Sequence, residues 1–330
     1  MSTCATASRA LAESLAGTAA TARTWLLIEQ PGPWGHKALT QSRLDPELGR
    51  ALDAAAGAHG GRVALIRRPG RHPDRSPATG STGTGSPADG HRVYLARTVP
   101  GDSWVRTAVL PGDGGLEALR ALDFALLDDP ARSVGNGTAP DGPRWEPYRG
   151  DPLALVCTNG KRDRCCALLG RPLADELAAS GGANVWEITH IGGHRFAPTL
   201  LVLPHGYAYG RLGAVAVKAV LDAVRDGHVT LEGCRGRSAW DRPGQAADLA
   251  VRERTGETRA DAVRVVASHE EPETGHRYVT VAHQDGRRWH VVLTETADGP
   301  ALPASCGAAP ASPVRLEVEQ LTRAETTLPG

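Results

Sequence analysis

One order of elements occurs twice along this chain, and that repetition restricts its fold more than any single motif. The strand-like run beginning at Trp25 leads to the helical pattern "LDPELGRALDAAAGAHG" and the strand "RVALIRR". The alternating "HRVYLARTV" and "SWVRTAVL" then precede "GGLEALRALDFALLDD", whose spacing predicts a helix. The second pass reads "LALVCT", a helix within "RDRCCALLGRPLADELAAS", the strands "NVWEITHI", "TLLVLP" and "HGYAYGRL", and the helix "GAVAVKAVLDAVRDG". Strands alternating with helices imply an α/β sheet with parallel pairs and right-handed crossovers. Two copies of one order imply an internal duplication.

Local signals punctuate the copies. Asp45 suits a helix cap with Pro46 in the first turn, and Gly60 and Gly61 close that helix. Residues 69–90 form a Gly/Ser/Thr/Pro tract with no apolar side chain larger than Ala, so a flexible loop is expected there. After about Ser238 the pattern changes to one helix followed by strands, two of them joined by Asp285-Gly286, a strong hairpin signal. The expected units are therefore 1–140, 141–238 and a smaller α+β region, 239–330.

The formal net charge is zero, which leaves no basic footprint for a nucleic acid. No stretch has the length and apolarity of a membrane span, and the N-terminus lacks the apolar core of a secretory signal. A cytoplasmic protein is expected. Thiols stay reduced there, so clustered cysteines point to metal or redox work rather than to structural disulfides.

The cluster is "CTNGKRDRCC", residues 157–166, which holds three of the six cysteines. Further on, "WEITHIGGHRFAPTLLVLP" sets His190 and His194 four apart around Gly192 and Gly193. On a helix both rings would share a face. Two adjacent glycines disfavour a helix, so a loop at the end of the strand "VWEITHI" is expected. Ligands of open α/β sheets gather at the carboxyl ends of the strands. Cys157 and His190 both end strands and can meet at one rim, with His194 arriving from the loop and Cys165 or Cys166 from the turn. Thiolates combined with imidazoles select zinc, copper or iron–sulfur. An iron–sulfur version is a [2Fe–2S] cluster with two histidines replacing two cysteines. A phosphate-binding Cys loop fits poorly, because Arg162 comes one residue too early after Cys157. Dithiol exchange prefers C-x-x-C. Arg162 is either a solvated turn residue or a cation acting on the thiolates. Cys4 is expected in a frayed terminus, and Cys234 and Cys306 as isolated thiols.

Together, "CTNGKRDRCC" and "HIGGHRFAPTLLVLPHGYAYGRL" resemble the sucrase/ferredoxin-like family, most strongly over about 150–240. The resemblance implies tandem thioredoxin-like (ferredoxin-type) α/β halves, the first one degenerate, with a smaller C-terminal α+β region. It implies a [2Fe–2S] cluster on Cys157, Cys166, His190 and His194, with Arg162, Gly192, Gly193 and Arg195 around those ligands. The family shows one cysteine where this chain has a doublet, so Cys165 is the alternative to Cys166, and register favours Cys166. Eukaryotic members commonly carry His after the first Cys and Gly after the second, where this chain has Thr158-Asn159 and Ala167. The implied role is proton-coupled electron transfer to an unidentified redox partner protein, with the histidine side facing solvent. The alternatives are a Cys2His2 zinc protein, structural or hydrolytic, and a metal-free thiol oxidoreductase.

Overall fold

A computed structural model describes residues 3–70, 90–112, 114–128, 142–182, 184–297 and 299–324. Most of the 69–90 tract lies outside the described residues.

The chain opens with a short helix, α1 (Cys4–Ala10), capped by the Thr3 side chain. β1 (Thr24–Glu29) follows, then α2 (Pro46–Ala58), whose first turn is held by Asp45 accepting from the backbone of Glu47 and Leu48. β2 (Gly61–Arg67), β3 (His91–Arg97) and β4 (Trp104–Leu110) complete the first set of strands. Instead of one helix over "GGLEALRALDFALLDD", the chain makes a 3₁₀ turn over Gly115–Ala121 and a short helix, α3 (Phe124–Asp128). The break at Leu122, which is extended, lets Leu119, Leu122, Phe124 and Leu127 all enter one core. A single amphipathic helix could not aim all four there.

β5 (Glu146–Pro147) leads to β6 (Leu153–Cys157), α4 (Arg171–Ala179), β7 (Val185–Ile188), β8 (Thr199–Leu203), β9 (Tyr207–Gly210), α5 (Ala214–Arg225) and β10 (Cys234–Arg237). These ten strands form one sheet in the order β10-β9-β8-β6-β7-β2-β1-β3-β4-β5. β1 runs parallel to β2 and antiparallel to β3, which pairs antiparallel with β4. The second set repeats this: β6 parallel to β7, antiparallel to β8, and β8 antiparallel to β9. The repeated order of elements read from the sequence thus has a repeated pairing pattern. The sets join edge to edge where Ile66 faces Ile188 and Arg67 faces Glu187.

Side chains alternate across the sheet as a two-residue period requires. In β6, Leu153, Leu155 and Cys157 enter a core shared by both sets, whereas Ala154 and Val156 face α4 and α5. In β1, Trp25 and Leu27 join the shared core while Leu26 and Ile28 pack under α2. The rest of the chain forms α6 (Arg242–Thr255) against a four-stranded sheet of β11 (Val263–Glu270), β12 (Arg277–His283), β13 (Arg288–Thr296) and, after the small hairpin of β14 (Leu302–Pro303) and β15 (Pro310–Ala311), β16 (Arg315–Arg323). Among the described residues no helix is long and apolar enough to cross a membrane.

Candidate metal centre

Cys157 ends β6 and His190 follows β7 by two residues, so the parallel pairing of these strands brings both to one rim. After Cys157 the chain turns tightly. The Asn159 carbonyl accepts from the N–H groups of Arg162 and Asp163, and the Asp163 carboxylate accepts from the N–H of Cys165 at 2.8 Å. A wide π-type turn over Cys166–Gly170 then leads into α4. Such turns recur at functional sites. Gly170 permits this one, because a Cβ there would lie 2.1 Å from the Cys157 carbonyl oxygen. The turn therefore packs directly on the strand end, and Cys166 comes back beside Cys157.

Cys157, Cys166 and His190 place their donor atoms within 4.8 Å of one another. His194 is outside this tight trio but adjoins it, with its ring centroid 5.0 Å from that of His190 and tilted by 36°. The loop between them is possible because Gly192 and Gly193 take φ of +83° and +72°. Other residues rarely adopt this left-handed region. The expected non-helical link is what the structure has.

The electrostatics favour a thiolate at Cys157. The Cys166 thiol donates to it and His190 adds a second favourable contact, and together they outweigh burial, leaving Cys157 well below the ordinary thiol range. Cys166 is pushed up by the same bond and by burial. Burial lowers the His194 pKa, opposed by Asp163, whose Oδ2 lies 3.7 Å from His194 Nε2. The Nδ1 atoms of both histidines are buried without a hydrogen-bond partner.

Gly192 and Gly193 lie beside the ligands as expected, whereas Arg162 and Arg195 take other places. Arg162 is exposed and turns to His36, 2.8 Å away, rather than to the thiols. Arg195 pairs with Glu13 at 2.7 Å and lies over the Phe196 ring, so it anchors the N-terminal segment. The cation that does approach the site is Arg235, from the second edge of the sheet, which the sequence reading missed. Its guanidinium is fully buried, bonds the carbonyls of Gly192 and Thr18, and senses the charges of Cys157 and Cys166. Burial lowers its pKa to about 10. No local signal marks it, since "CRGR" resembles any exposed basic turn.

Cys165 turns away from Cys157 and into a second group with Cys4, Cys306 and Asp163. Cys4 is not frayed: it is buried in α1 and 1% exposed. Cys306 is not isolated either, lying 3.3 Å from Cys165. Cys234 is buried in the core beneath α5. The histidine side is less open than expected. The His194 side chain is 14% exposed and meets the backbone of Ala304 in the C-terminal segment.

The model of the sucrase/ferredoxin-like family matches residues 15–236, more than half of the 330-residue chain. No curated protein and no solved structure matches it significantly. The match spans Cys157, Cys166, His190 and His194, and ends before Cys306.

Proposed function

The chain belongs to the sucrase/ferredoxin-like family, and from that premise we propose that it is an electron-transfer protein holding a [2Fe–2S] cluster on Cys157, Cys166, His190 and His194. The donor set fits such a group. Two free, buried thiols stand beside two imidazoles whose Nδ1 atoms are buried without a partner. Buried polar atoms are ordinarily bonded, so these orphaned nitrogens are suited to ligation. When bound, a cluster of this kind accepts and returns single electrons at a potential raised by the histidine ligands.

The chain's own residues account for the rest. Cys157 is already inclined to the thiolate form that a ligand requires. The shared core around Cys157 and Cys166 keeps water from the thiols. His194 presents Nε2 to Asp163, a carboxylate that can stabilise a proton there, while its Nδ1 is buried without a partner. Arg235 sets a buried positive charge beside the thiolates and offsets part of their negative charge. This reading includes a redox partner protein and the reducing cytoplasm, where buried free thiols persist.

The observation that carries the proposal is the convergence of Cys157, Cys166 and His190 within 4.8 Å, with His194 alongside. Anaerobic purification followed by iron and sulfide analysis, visible absorption and EPR tests it. About two irons and two sulfides per chain are expected. A colourless protein without iron would overturn it. The same compactness suits a single zinc ion, which supports a second reading, a Cys2His2 zinc site. Zinc at Cys157 without sulfide would establish that alternative.

A further inference from the structure

Thiols from the two end regions of the chain meet a third, from its middle, at a second place. Cys4 comes from α1, Cys165 from the turn before α4, and Cys306 from the loop between β14 and β15. Their sulfurs form a triangle with sides of 3.3 Å (Cys4–Cys165), 3.6 Å (Cys4–Cys306) and 3.3 Å (Cys165–Cys306). All three are free. Asp163 closes the group, with each carboxylate oxygen 3.9 Å from Cys4 Sγ. Its oxygens also accept from the backbone N–H of Cys165 and of Cys306, both at 2.8 Å. The four donors lie within 4.8 Å of one another.

Apolar packing alone does not explain this arrangement. A buried cysteine behaves as a small hydrophobe, yet these three surround a carboxylate that is 4% exposed. The backbone N–H groups of Cys165 and Cys306 and the Cys4 thiol all face that carboxylate, so one buried acid organises the three sulfurs. Three sulfurs and a carboxylate converging on one buried point form a donor set of the kind that holds zinc. Tetrahedral zinc, with Zn–S of about 2.3 Å, spaces its sulfurs about 3.8 Å apart. Two sides of the triangle are about 0.5 Å shorter than that and the third about 0.2 Å shorter, so binding the ion would spread the sulfurs slightly.

We propose that Cys4, Cys165 and Cys306, with Asp163 as fourth donor, form a zinc site separate from the Cys157 centre. The closed four-donor set is that of a structural ion. It would clamp α1 and the β14–β15 hairpin onto the loop that carries Cys166. Cys4 and Cys306 both fall outside the family match, so the site is an addition to the part the family describes.

The test is metal analysis of the full-length protein, grown with added zinc and purified anaerobically with a thiol reductant. Wild type is compared with the double variant Cys4→Ser/Cys306→Ser and with Cys157→Ser. About one zinc per chain is expected in wild type and in Cys157→Ser. In the double variant zinc should fall by more than about tenfold. Cobalt(II) substitution of the wild type provides a measurement that does not depend on the variants folding, because thiolate-to-metal charge transfer reports how many sulfurs bind. Zinc absent from wild type would overturn the proposal. So would zinc unchanged in the double variant, or a disulfide between any two of the three cysteines in alkylated, anaerobically prepared protein.

Discussion

Cys165 and Cys166 are sequence neighbours whose thiols serve different groups, Cys166 with Cys157 and His190, Cys165 with Cys4 and Cys306. Cys165 has helical backbone angles, and about 100° of rotation separates successive side chains in such a turn. The doublet therefore sends its two thiols into two separate groups of donor atoms. Cys166→Ser is expected to abolish the visible absorption of the iron cluster. Cys165→Ser is expected to keep that absorption and lose zinc. Equal loss of colour in both variants would contradict the division.

Replacing both His190 and His194 with Cys should preserve a cluster while lowering its reduction potential by on the order of 200 mV. Reduction adds negative charge, which favours proton uptake on imidazole, so the wild-type potential should fall as pH rises. Protein-film voltammetry across pH reads both effects. A double variant whose potential still varies with pH would show that the coupling lies elsewhere.

Gly193 is confined by its backbone and by its neighbour. An added Cβ would meet Arg235 Nη2 at 2.1 Å, and φ is +72°. Gly193→Ala should cost about 1–2 kcal/mol for the left-handed backbone. It should further displace Arg235 from the Gly192 and Thr18 carbonyls. Gly256→Ala is the control, because φ is +70° there with nothing within 4 Å, so only the backbone cost applies. Urea midpoints and iron retention should separate the two, with iron lost only in Gly193→Ala.

The seam between the two strand sets depends on Arg67 and Glu187, paired at 2.7 Å with side chains 7% and 2% exposed. Glu187 also accepts from the Thr158 hydroxyl at 2.8 Å, one residue beyond Cys157. Glu187→Ala should cost about 3–5 kcal/mol by leaving a buried guanidinium unpaired. Arg67→Met combined with Glu187→Leu should recover part of that loss. Chemical denaturation of the single and double variants measures both.

Stability should decline in mild acid through His205. Burial, helped by Arg237 and opposed by Asp261, lowers its pKa from 6.5 to about 4. Between those values the unfolded chain binds a proton that the folded chain refuses. The contribution is therefore complete above pH 6.5 and is lost as pH falls toward 4, amounting at most to about 3 kcal/mol. His205→Gln should flatten that part of the urea-midpoint profile; an unchanged slope would assign the acid sensitivity to other groups.

Much of the fold was legible because its signals are local. The short apolar runs of β1 and β6, the alternation over β3 and β4, the Asp45 cap and the Asp285-Gly286 turn each act within a few residues. The "HIGGH" loop was legible for the same reason, since adjacent glycines disfavour a helix and permit left-handed turns. The single helix expected over "GGLEALRALDFALLDD" is broken because four apolar side chains had to reach one core, and only the fold reveals where that core lies.

The sequence by itself determined a duplicated α/β sheet and a rim where Cys157 and His190 must come together, since strand ends and crossovers follow from pattern and chirality. Tertiary structure alone decided that Arg235 rather than Arg162 approaches the thiols, and that Cys4 and Cys306 return to Cys165 from opposite termini. Those meetings depend on the paths of segments far apart along the chain and on the rotation of one turn, and neither leaves a periodic trace in the amino-acid order.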